Sequence, residues 1–214
     1  MWPFEHRWTV WPFAPSPSWD EAVYWALDLE TTGLSAGDDH VLSVGLVPIR
    51  RGAIVWGERF YSLVRPPRLD GLTEETMAVH HILPGELAAA PPPEEVFPEL
   101  ARRLDASDGP PVAWLVHHAP LDLSFLRRWY GEAEREWPRP RVVDTIRLLL
   151  RLDHRRHQLD PYGRPLPRAL SEARAHLGLP PYHYHHALTD ALATAELFLL
   201  LRARLGLERL RQVT

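Results

Sequence analysis

Three short apolar runs of strand composition come before the first helical segment of this chain, and that order restricts the folds open to it. The runs are residues 23–29, 41–50 and 54–64, and an Arg51-Gly52 turn joins the last two as a hairpin. Two more strands are predicted at 112–116 and 141–143, and helices at 73–82, 94–104, 121–130, 145–152, 168–177 and 187–205. Meandering strands followed by strand–helix units predict an α/β domain with a mixed central sheet of about five strands flanked by helices.

The two ends of the chain differ from this pattern. Residues 1–20 hold four of the nine tryptophans and four of the 22 prolines, so we expect an irregular arm whose rings anchor it on its own domain. The globular domain is predicted to span residues 21–208, and residues 209–214 to form a short C-terminal tail. The sequence leaves the oligomeric state open.

Composition excludes several classes of chemistry. The absence of cysteine removes disulfides, thiolate zinc sites and cysteine nucleophiles. All 24 basic residues are arginine, which removes the P-loop lysine and Schiff-base mechanisms. No apolar run has the length of a membrane span, and the N-terminus lacks the pattern of a secretory signal, so we expect a cytoplasmic protein without membrane contact.

Charge limits the mode in which the chain can bind nucleic acid. A net charge of −4 argues against wrapping a polyanion over the whole surface. Residues 139–174 nevertheless contain nine arginines against four acids. Charge alone favours an ordinary solvated surface for this segment, although its part from Arg151 to Arg168 is a candidate phosphate-contacting loop.

Acidic residues stand at unusual places in the predicted fold. Asp28 and Glu30 lie two apart at the end of an apolar strand, so their carboxylates point to the same face. Asp122 follows a buried strand in the first turn of a helix, and Asp190 lies early in the last long helix, on a face of mostly small residues. His185, five residues before Asp190, is a candidate general base.

Taken singly, each of these residues can be a solvated strand end, a helix N-terminal charge or a surface histidine. Together, the four carboxylates would repel one another unless a cation lay between them. Hard oxygen ligands suit Mg²⁺ or Mn²⁺, and two such ions about 3.5–4 Å apart would bracket the attacking and leaving oxygens of a phosphodiester. The ions would also supply positive charge that the chain lacks.

Five segments in order resemble the motifs of the DEDDh 3′–5′ exonucleases, a family that includes the proofreading epsilon subunit of bacterial DNA polymerase III. The segments are LDLETTGL at residues 27–34, VHHI at 79–82, VHHAPLDLSFL at 116–126, VDT at 143–145 and HHALTDALATAEL at 185–197. The match covers about residues 23–200. The resemblance implies an RNase H-like fold and hydrolysis from a free 3′ end of nucleic acid, DNA being favoured, with release of nucleoside 5′-monophosphates.

The resemblance also implies roles for particular residues. Asp28 would bridge two metal ions, Glu30 and Asp190 would complete one site, and Asp122 would hold the second ion. His185 would deprotonate the attacking water. The residues implied in substrate binding are Thr31, Thr32, Gly33, Leu34 and Phe125.

Three positions depart from the family pattern. His81 replaces a glycine, His118 an asparagine and Leu121 a phenylalanine. None of them removes a metal ligand or the base, so the resemblance implies an altered substrate pocket around His81 and His118. Asp144 is predicted to be a helix cap rather than a catalytic residue.

Alternative interpretations of the sequence remain open. The chain could be an RNase H-like module that binds nucleic acid or a polymerase without cutting, although it keeps all five catalytic groups. The pairs His80/His81, His117/His118 and His185/His186 would allow a zinc site, but their spacing matches no H-E-x-x-H type. Residues 33–37 fit the G-x-S-x-G nucleophile elbow around Ser35, which we reject because a strand rather than a helix follows.

Partners follow from the exonuclease interpretation. Nucleic acid with a free 3′ end is the expected substrate. Because the chain ends soon after its last predicted helix, we expect a stand-alone enzyme, with at most a weakly held polymerase or other protein partner.

Overall fold

The computed structural model describes residues 16–68, 72–105 and 109–214, so residues 1–15 of the predicted arm lie outside it. Within these ranges the strands are β1 (Val23–Thr31), β2 (Val41–Arg50), β3 (Ala53–Ile54), β4 (Phe60–Leu63), β5 (Val112–Val116) and β6 (Arg141–Asp144). The α-helices are α1 (Glu74–His80), α2 (Pro84–Ala89), α3 (Pro93–Leu104), α4 (Ala119–Glu132), α5 (Thr145–Leu159), α6 (Leu170–His176), α7 (Ala187–Leu205) and α8 (Leu210–Val213).

The strands form one mixed sheet. Its order is β3-β2-β1-β5-β6, and β4 also pairs with β2. β1 runs antiparallel to β2 and parallel to β5, and β5 runs parallel to β6. The predicted α/β architecture with a mixed sheet flanked by helices is therefore confirmed.

Side chains of β1 alternate between two apolar cores on opposite faces of the sheet. Trp25, Leu27 and Leu29 pack with residues of α3 and α4, whereas Tyr24 and Ala26 pack with residues of α5 and α7. Period-two alternation continues this second row with Asp28 and Glu30. β1 therefore directs its two carboxylates to the face that α7 covers.

The second arm of the predicted hairpin is interrupted. Ile54 pairs with Ile49 and Phe60 pairs with Leu46. The segment from Ile54 to Phe60 therefore advances six residues while its partner β2 advances only three. The surplus is taken up by a 3-10 turn at Trp56–Glu58. The prediction of one continuous strand over residues 54–64 was therefore wrong, because residues 55–59 leave the ladder.

Most helix ends lie within two residues of the predicted ones, and two differences are larger. Pro84 was predicted only to end a helix, but it also occupies the first turn of α2, where a proline loses no hydrogen bond. α5 continues seven residues beyond the predicted end at Leu152, to Leu159. Of the arginines in the candidate phosphate-contacting loop, Arg151, Arg155 and Arg156 therefore lie in a helix.

The two ends of the described chain meet beside α7. Ser18 forms a bridge with Arg209, and the Trp19 N–H donates to Glu208 O at 3.1 Å. In the predicted tail, Leu210 and Val213 are buried in the same core as Phe198. Across the described ranges, none of the helices is long and apolar enough for a membrane span.

Candidate metal centre and active site

One strand and one helix bring three carboxylates together. Asp28 and Glu30 follow the alternation of β1, and Asp190 lies in the first turn of α7. Ligand oxygens of Asp28, Glu30 and Asp190 all lie within 4.8 Å of one another. This is the grouping expected of an oxygen-ligand site for a divalent cation.

A glycine makes this approach of helix and sheet possible. Gly45 is the β2 partner of Asp28, and a Cβ built on it would lie 2.3 Å from the Ala187 carbonyl carbon and from the Leu188 nitrogen. No side chain fits there, so the backbone of α7 rests directly on β2. Sequence reasoning missed Gly45, although a glycine inside a strand is a signal of close backbone approach.

Asp122 lies near this group without being one of its three members. Its side chain is only 4% exposed, and it stands in the first turn of α4. Its negative charge contributes to raising the pKa of both Asp28 and Glu30. The four predicted carboxylates are therefore electrostatically linked.

Burial and mutual repulsion raise the pKa values of these acids. Burial, then the charges of Asp122, Glu30 and Asp190, hold the pKa of Asp28 well above its ordinary value. Burial and the two aspartates Asp190 and Asp122 raise the pKa of Glu30 to about 8, and burial raises the pKa of Asp122 to about 7. Burial also raises the pKa of Asp190, against the opposing effect of a hydrogen bond from His185.

These acids fit a bound cation. The Asp190 Oδ1 atom is buried and has no hydrogen-bond partner among the described residues, while Oδ2 accepts from the His185 N–H at 2.9 Å. The Asp190 carboxylate therefore has one buried oxygen without a hydrogen-bond donor, and its charge repels the neighbouring carboxylates. A divalent cation would satisfy the free oxygen and offset the repulsion.

His185 occupies an exposed loop at the edge of this group. Its backbone is left-handed, with φ of 64°, and its N–H binds the Asp190 carboxylate. The next residue, His186, stacks on Tyr61 with ring centroids 4.6 Å apart and planes 20° apart. Tyr61, from β4, was not singled out from the sequence.

His81 and His118 also adopt left-handed backbone conformations. His81 ends α1 with φ of 58°, and His118 precedes α4 with φ of 75°. Glycine and asparagine, which the family motifs carry at these positions, adopt this conformation with less strain than most residues. The two departures from the motif therefore fall where the backbone itself is restrictive.

Asp144 holds the turn that leads into α4. Its carboxylate accepts from the Ile146 N–H at 2.9 Å, which caps α5 as predicted. It also accepts from the N–H groups of His118 and Ala119, both at 3.1 Å. One carboxylate thus links the start of α5 to the turn three residues before Asp122.

The end of β1 and the turn after it contain four of the predicted substrate-binding residues. The Thr31 hydroxyl donates to Gly33 O at 2.6 Å, and the Thr32 hydroxyl donates to Asp39 at 3.0 Å. A Cβ on Gly33 would lie 2.5 Å from Asp39 Oδ2, so a larger residue there would displace the Asp39 carboxylate that binds Thr32. Leu34 is 80% exposed at the tip of this turn.

Arg128 holds the rest of this loop, a role that the sequence did not indicate. It donates from α4 to Ala36 O at 2.8 Å and to Asp39 O at 3.0 Å. The loop leads into β2, so Ser35 stands on no strand–turn–helix elbow. Phe125 is 2% exposed, packs in the core of α3 and α4, and lines a cavity of about 260 Å³ beside this loop.

His80 and His117, from the histidine pairs of the sequence, bind groups outside the acidic group. His80 Nδ1 accepts from the Ile82 N–H at 3.0 Å. His117 lies 2.7 Å from the Thr145 hydroxyl and 2.8 Å from Arg168 O. In the part of the chain that the structure describes, the group of three or more metal-capable side chains contains carboxylates and no histidine.

Comparison with known proteins identifies the family. The RNase T model, described as exonuclease, matches residues 25–198. The chain is 30% identical over 208 residues to a DNA polymerase III PolC-type protein of Thermotoga petrophila, covering 92% of this chain and 13% of that protein. It is 33% identical over 186 residues to a DNA polymerase III subunit epsilon-like protein of Rhodobacter capsulatus, covering 85% of this chain and 24% of that one. The chain belongs to this exonuclease family, and it spans a quarter or less of these two relatives.

Solved structures share the fold. The zinc-bound complex of Escherichia coli exonuclease I with single-stranded DNA aligns with a TM-score of 0.67 at 16% identity, over 86% of this chain and 41% of that one. Cell-death related nuclease 4 aligns with a TM-score of 0.71 at 14% identity, over 87% of this chain and 66% of that one.

Proposed function

We propose that this chain is a metal-dependent 3′–5′ exonuclease that removes nucleoside 5′-monophosphates from the 3′ end of DNA. The observation that carries the proposal is the group of Asp28, Glu30 and Asp190, whose ligand oxygens lie within 4.8 Å of one another and leave Asp190 Oδ1 without a partner among the described residues. Membership of the exonuclease family supports the reaction class.

Two Mg²⁺ or Mn²⁺ ions are the proposed cofactors. Asp28 would contribute to both sites, Glu30 and Asp190 would complete the first, and Asp122 would hold the second. When bound, the ions stabilise the charge that develops on the attacking and leaving oxygens. The burial and close approach of these acids support the assignment, because a cation between them would offset the burial and repulsion that raise their pKa values.

His185 is the proposed general base. Its imidazole takes a proton from the attacking water while the water oxygen bonds to phosphorus and the P–O3′ bond breaks. The 3′-oxygen of the shortened strand is protonated from solvent, and the terminal nucleotide leaves with its 5′-phosphate. The hydrogen bond from His185 N–H to Asp190 supports this role, since it ties the base to a metal ligand.

The terminal nucleotide is proposed to bind at the turn after β1. Thr31, Thr32 and Gly33 offer backbone contacts, and the exposed Leu34 is suited to wedge between bases. His81, His118 and Phe125 are the remaining residues of the proposed pocket. His81 and His118 are the two that differ from the family motif.

DNA is the proposed substrate, with at most a weakly held partner, a polymerase or another protein. The relatives named as polymerase III PolC-type and epsilon-like proteins, and exonuclease I in complex with single-stranded DNA, support this choice. Co-purification of the full chain with a polymerase through a stringent wash would contradict weak association.

The division into arm, domain and tail at residues 20 and 208 stays a proposal.

A digestion series tests the activity. Single-stranded DNA, duplex DNA and RNA of matched sequence, labelled at the 5′ end, are incubated with Mg²⁺, Mn²⁺ or a chelator. We expect a ladder that shortens from the 3′ end, nucleoside 5′-monophosphate products, and no reaction with the chelator or with Asp28→Asn protein. Folded protein that binds oligonucleotides but cuts none of them would favour a non-catalytic module instead.

A further inference from the structure

Arg174 is a charged residue with no exposed surface. It lies on α6, and its side chain is 0% exposed, although the sequence suggests one more member of a surface arginine cluster. A buried guanidinium is costly unless its donors are paired. Its contacts therefore indicate which parts of the molecule it holds together.

The guanidinium joins three segments. It donates to Ala193 O of α7 at 2.7 Å, to Pro180 O of the α6–α7 loop at 3.0 Å, and to Glu196 Oε2 at 2.7 Å. It also lies 4.8 Å from the ring centroid of Tyr182. The Tyr182 hydroxyl donates to Glu196 Oε1 at 2.9 Å, which closes the cluster.

This cluster is built against the loop that carries His185. Residues 179–186 contain no helix or strand, and His185 holds a left-handed backbone that a side-chain-bearing residue adopts only at a cost. The Asp190 carboxylate fixes the far end of the loop through the His185 N–H. Arg174 and Tyr182 fix the near end, at Pro180 and at Tyr182 itself.

We infer that Arg174, Tyr182 and Glu196 are positioning residues that hold the imidazole of His185 over the carboxylate group. The inference rests on the proposed function and adds three residues to it, none of which touches the substrate. Their effect is on the rate of the chemical step, since a base displaced by about 1 Å loses up to about 100-fold in rate. They leave metal binding and oligonucleotide binding unchanged.

Tyr182→Phe is the sharpest test, because it keeps the ring over Arg174 and removes only the hydroxyl. We expect kcat to fall about tenfold, with KM for a single-stranded oligonucleotide and the half-saturating Mg²⁺ concentration within about twofold of wild type. Deuterium uptake should rise in the peptide spanning residues 179–186. Glu95→Gln, a change at an exposed position of α3, is the control variant and should change none of these values.

Three further variants keep the inference falsifiable if a change destabilises the fold. Glu196→Gln should repeat the kcat loss, and Arg174→Lys should retain more activity than Arg174→Met. A lowered melting temperature with unchanged kcat and unchanged uptake in the loop would overturn the inference. Wild-type protein without hydrolysis would overturn the proposed function instead, and the exchange measurement would still show whether the three residues hold the loop.

Discussion

Gly45 faces Asp28 across β1 and β2, and the first turn of α7 fills the space that a Gly45 side chain would need. The pairing ties the position of one acidic residue to the docking of the helix that carries Asp190. A methyl group at Gly45 would meet the backbone of Ala187 and Leu188, which cannot move as a flexible side chain does.

Gly45→Ala should therefore move Asp190 away from Asp28 and Glu30. We expect a loss of about 1–3 kcal/mol in unfolding free energy from overpacking, and a weaker stabilisation by Mn²⁺ because Asp190 moves away. Chemical denaturation with and without Mn²⁺ measures both. Gly57→Ala is the matched control, since nothing lies within 4 Å of its Cβ position. Equal behaviour of the two variants would contradict the close-contact argument.

Metal-free protein should lose stability as pH rises. The raised pKa of Glu30, about 8, and of Asp122, about 7, means that the folded state keeps protons which the unfolded state has released. Their stabilising contribution is fully present below the unfolded pKa of about 4 and is lost as pH rises through the folded pKa values of about 7 and 8.

Melting temperatures of chelator-treated protein at pH values from about 5 to about 9 test this dependence, and Mg²⁺ should restore most stability at the alkaline end. Glu30→Gln should flatten the pH dependence. A wild-type melting temperature that is constant over this range, with no metal effect, would show that the carboxylates are not coupled as described.

His81→Gly should stabilise the chain. The left-handed conformation at φ of 58° costs a residue with a side chain about 1 kcal/mol more than it costs glycine, and His81 is exposed. The unfolding free energy should rise by about this amount, as read from urea titration. His81→Ala keeps the strain and serves as the control; a gain with alanine as well would assign the effect to the imidazole rather than to the backbone.

Asp144→Ala should destabilise the chain by roughly 2–4 kcal/mol, because it removes a helix cap and leaves the N–H groups of His118 and Ala119 without their acceptor. Affinity for Mn²⁺ should fall as the turn before Asp122 loosens. Calorimetric titration with Mn²⁺ checks the second effect. Asp144→Asn, which keeps one acceptor oxygen, should fall between wild type and alanine.

The arginines of the segment from 151 to 168 should divide into two groups. Arg151 and Arg155 donate to the backbone carbonyls of Gln212 and Leu205, so their replacement by alanine should lower stability. Arg156 and Arg164 are exposed. Replacing both with alanine should reduce the slope of log binding constant against log salt by about 1.4 for single-stranded DNA, if each contacts one phosphate. Fluorescence anisotropy over a salt series distinguishes the groups.

The sequence predicted those elements whose signals are local. β1, β2, β5 and α7 appear as apolar runs with clear ends, and the order of strands and helices implied the mixed sheet that the structure has. The motif residues Asp28, Glu30 and Asp190 could be grouped because strand alternation and family resemblance agree on their side of the sheet.

What the sequence did not reveal depends on packing between distant segments. Gly45 matters only because α7 rests on β2, and a glycine within a strand can equally mark a bulge or a tight bend. Arg174 was counted as surface charge because composition does not report burial. The interruption at Trp56–Glu58 was missed because the residues around it are apolar enough to continue a strand.

The alternation along β1 also restricts which length changes the protein can accept. Deleting or inserting one residue between Tyr24 and Asp28 would turn Asp28 toward the core of α3 and α4 and one of its apolar neighbours toward α7. The same alternation along β1 therefore sets both the packing of the two cores and the face to which Asp28 and Glu30 point. Length variation among related chains should therefore be confined to loops, and β1 should accept conservative changes at its apolar positions but no insertion or deletion.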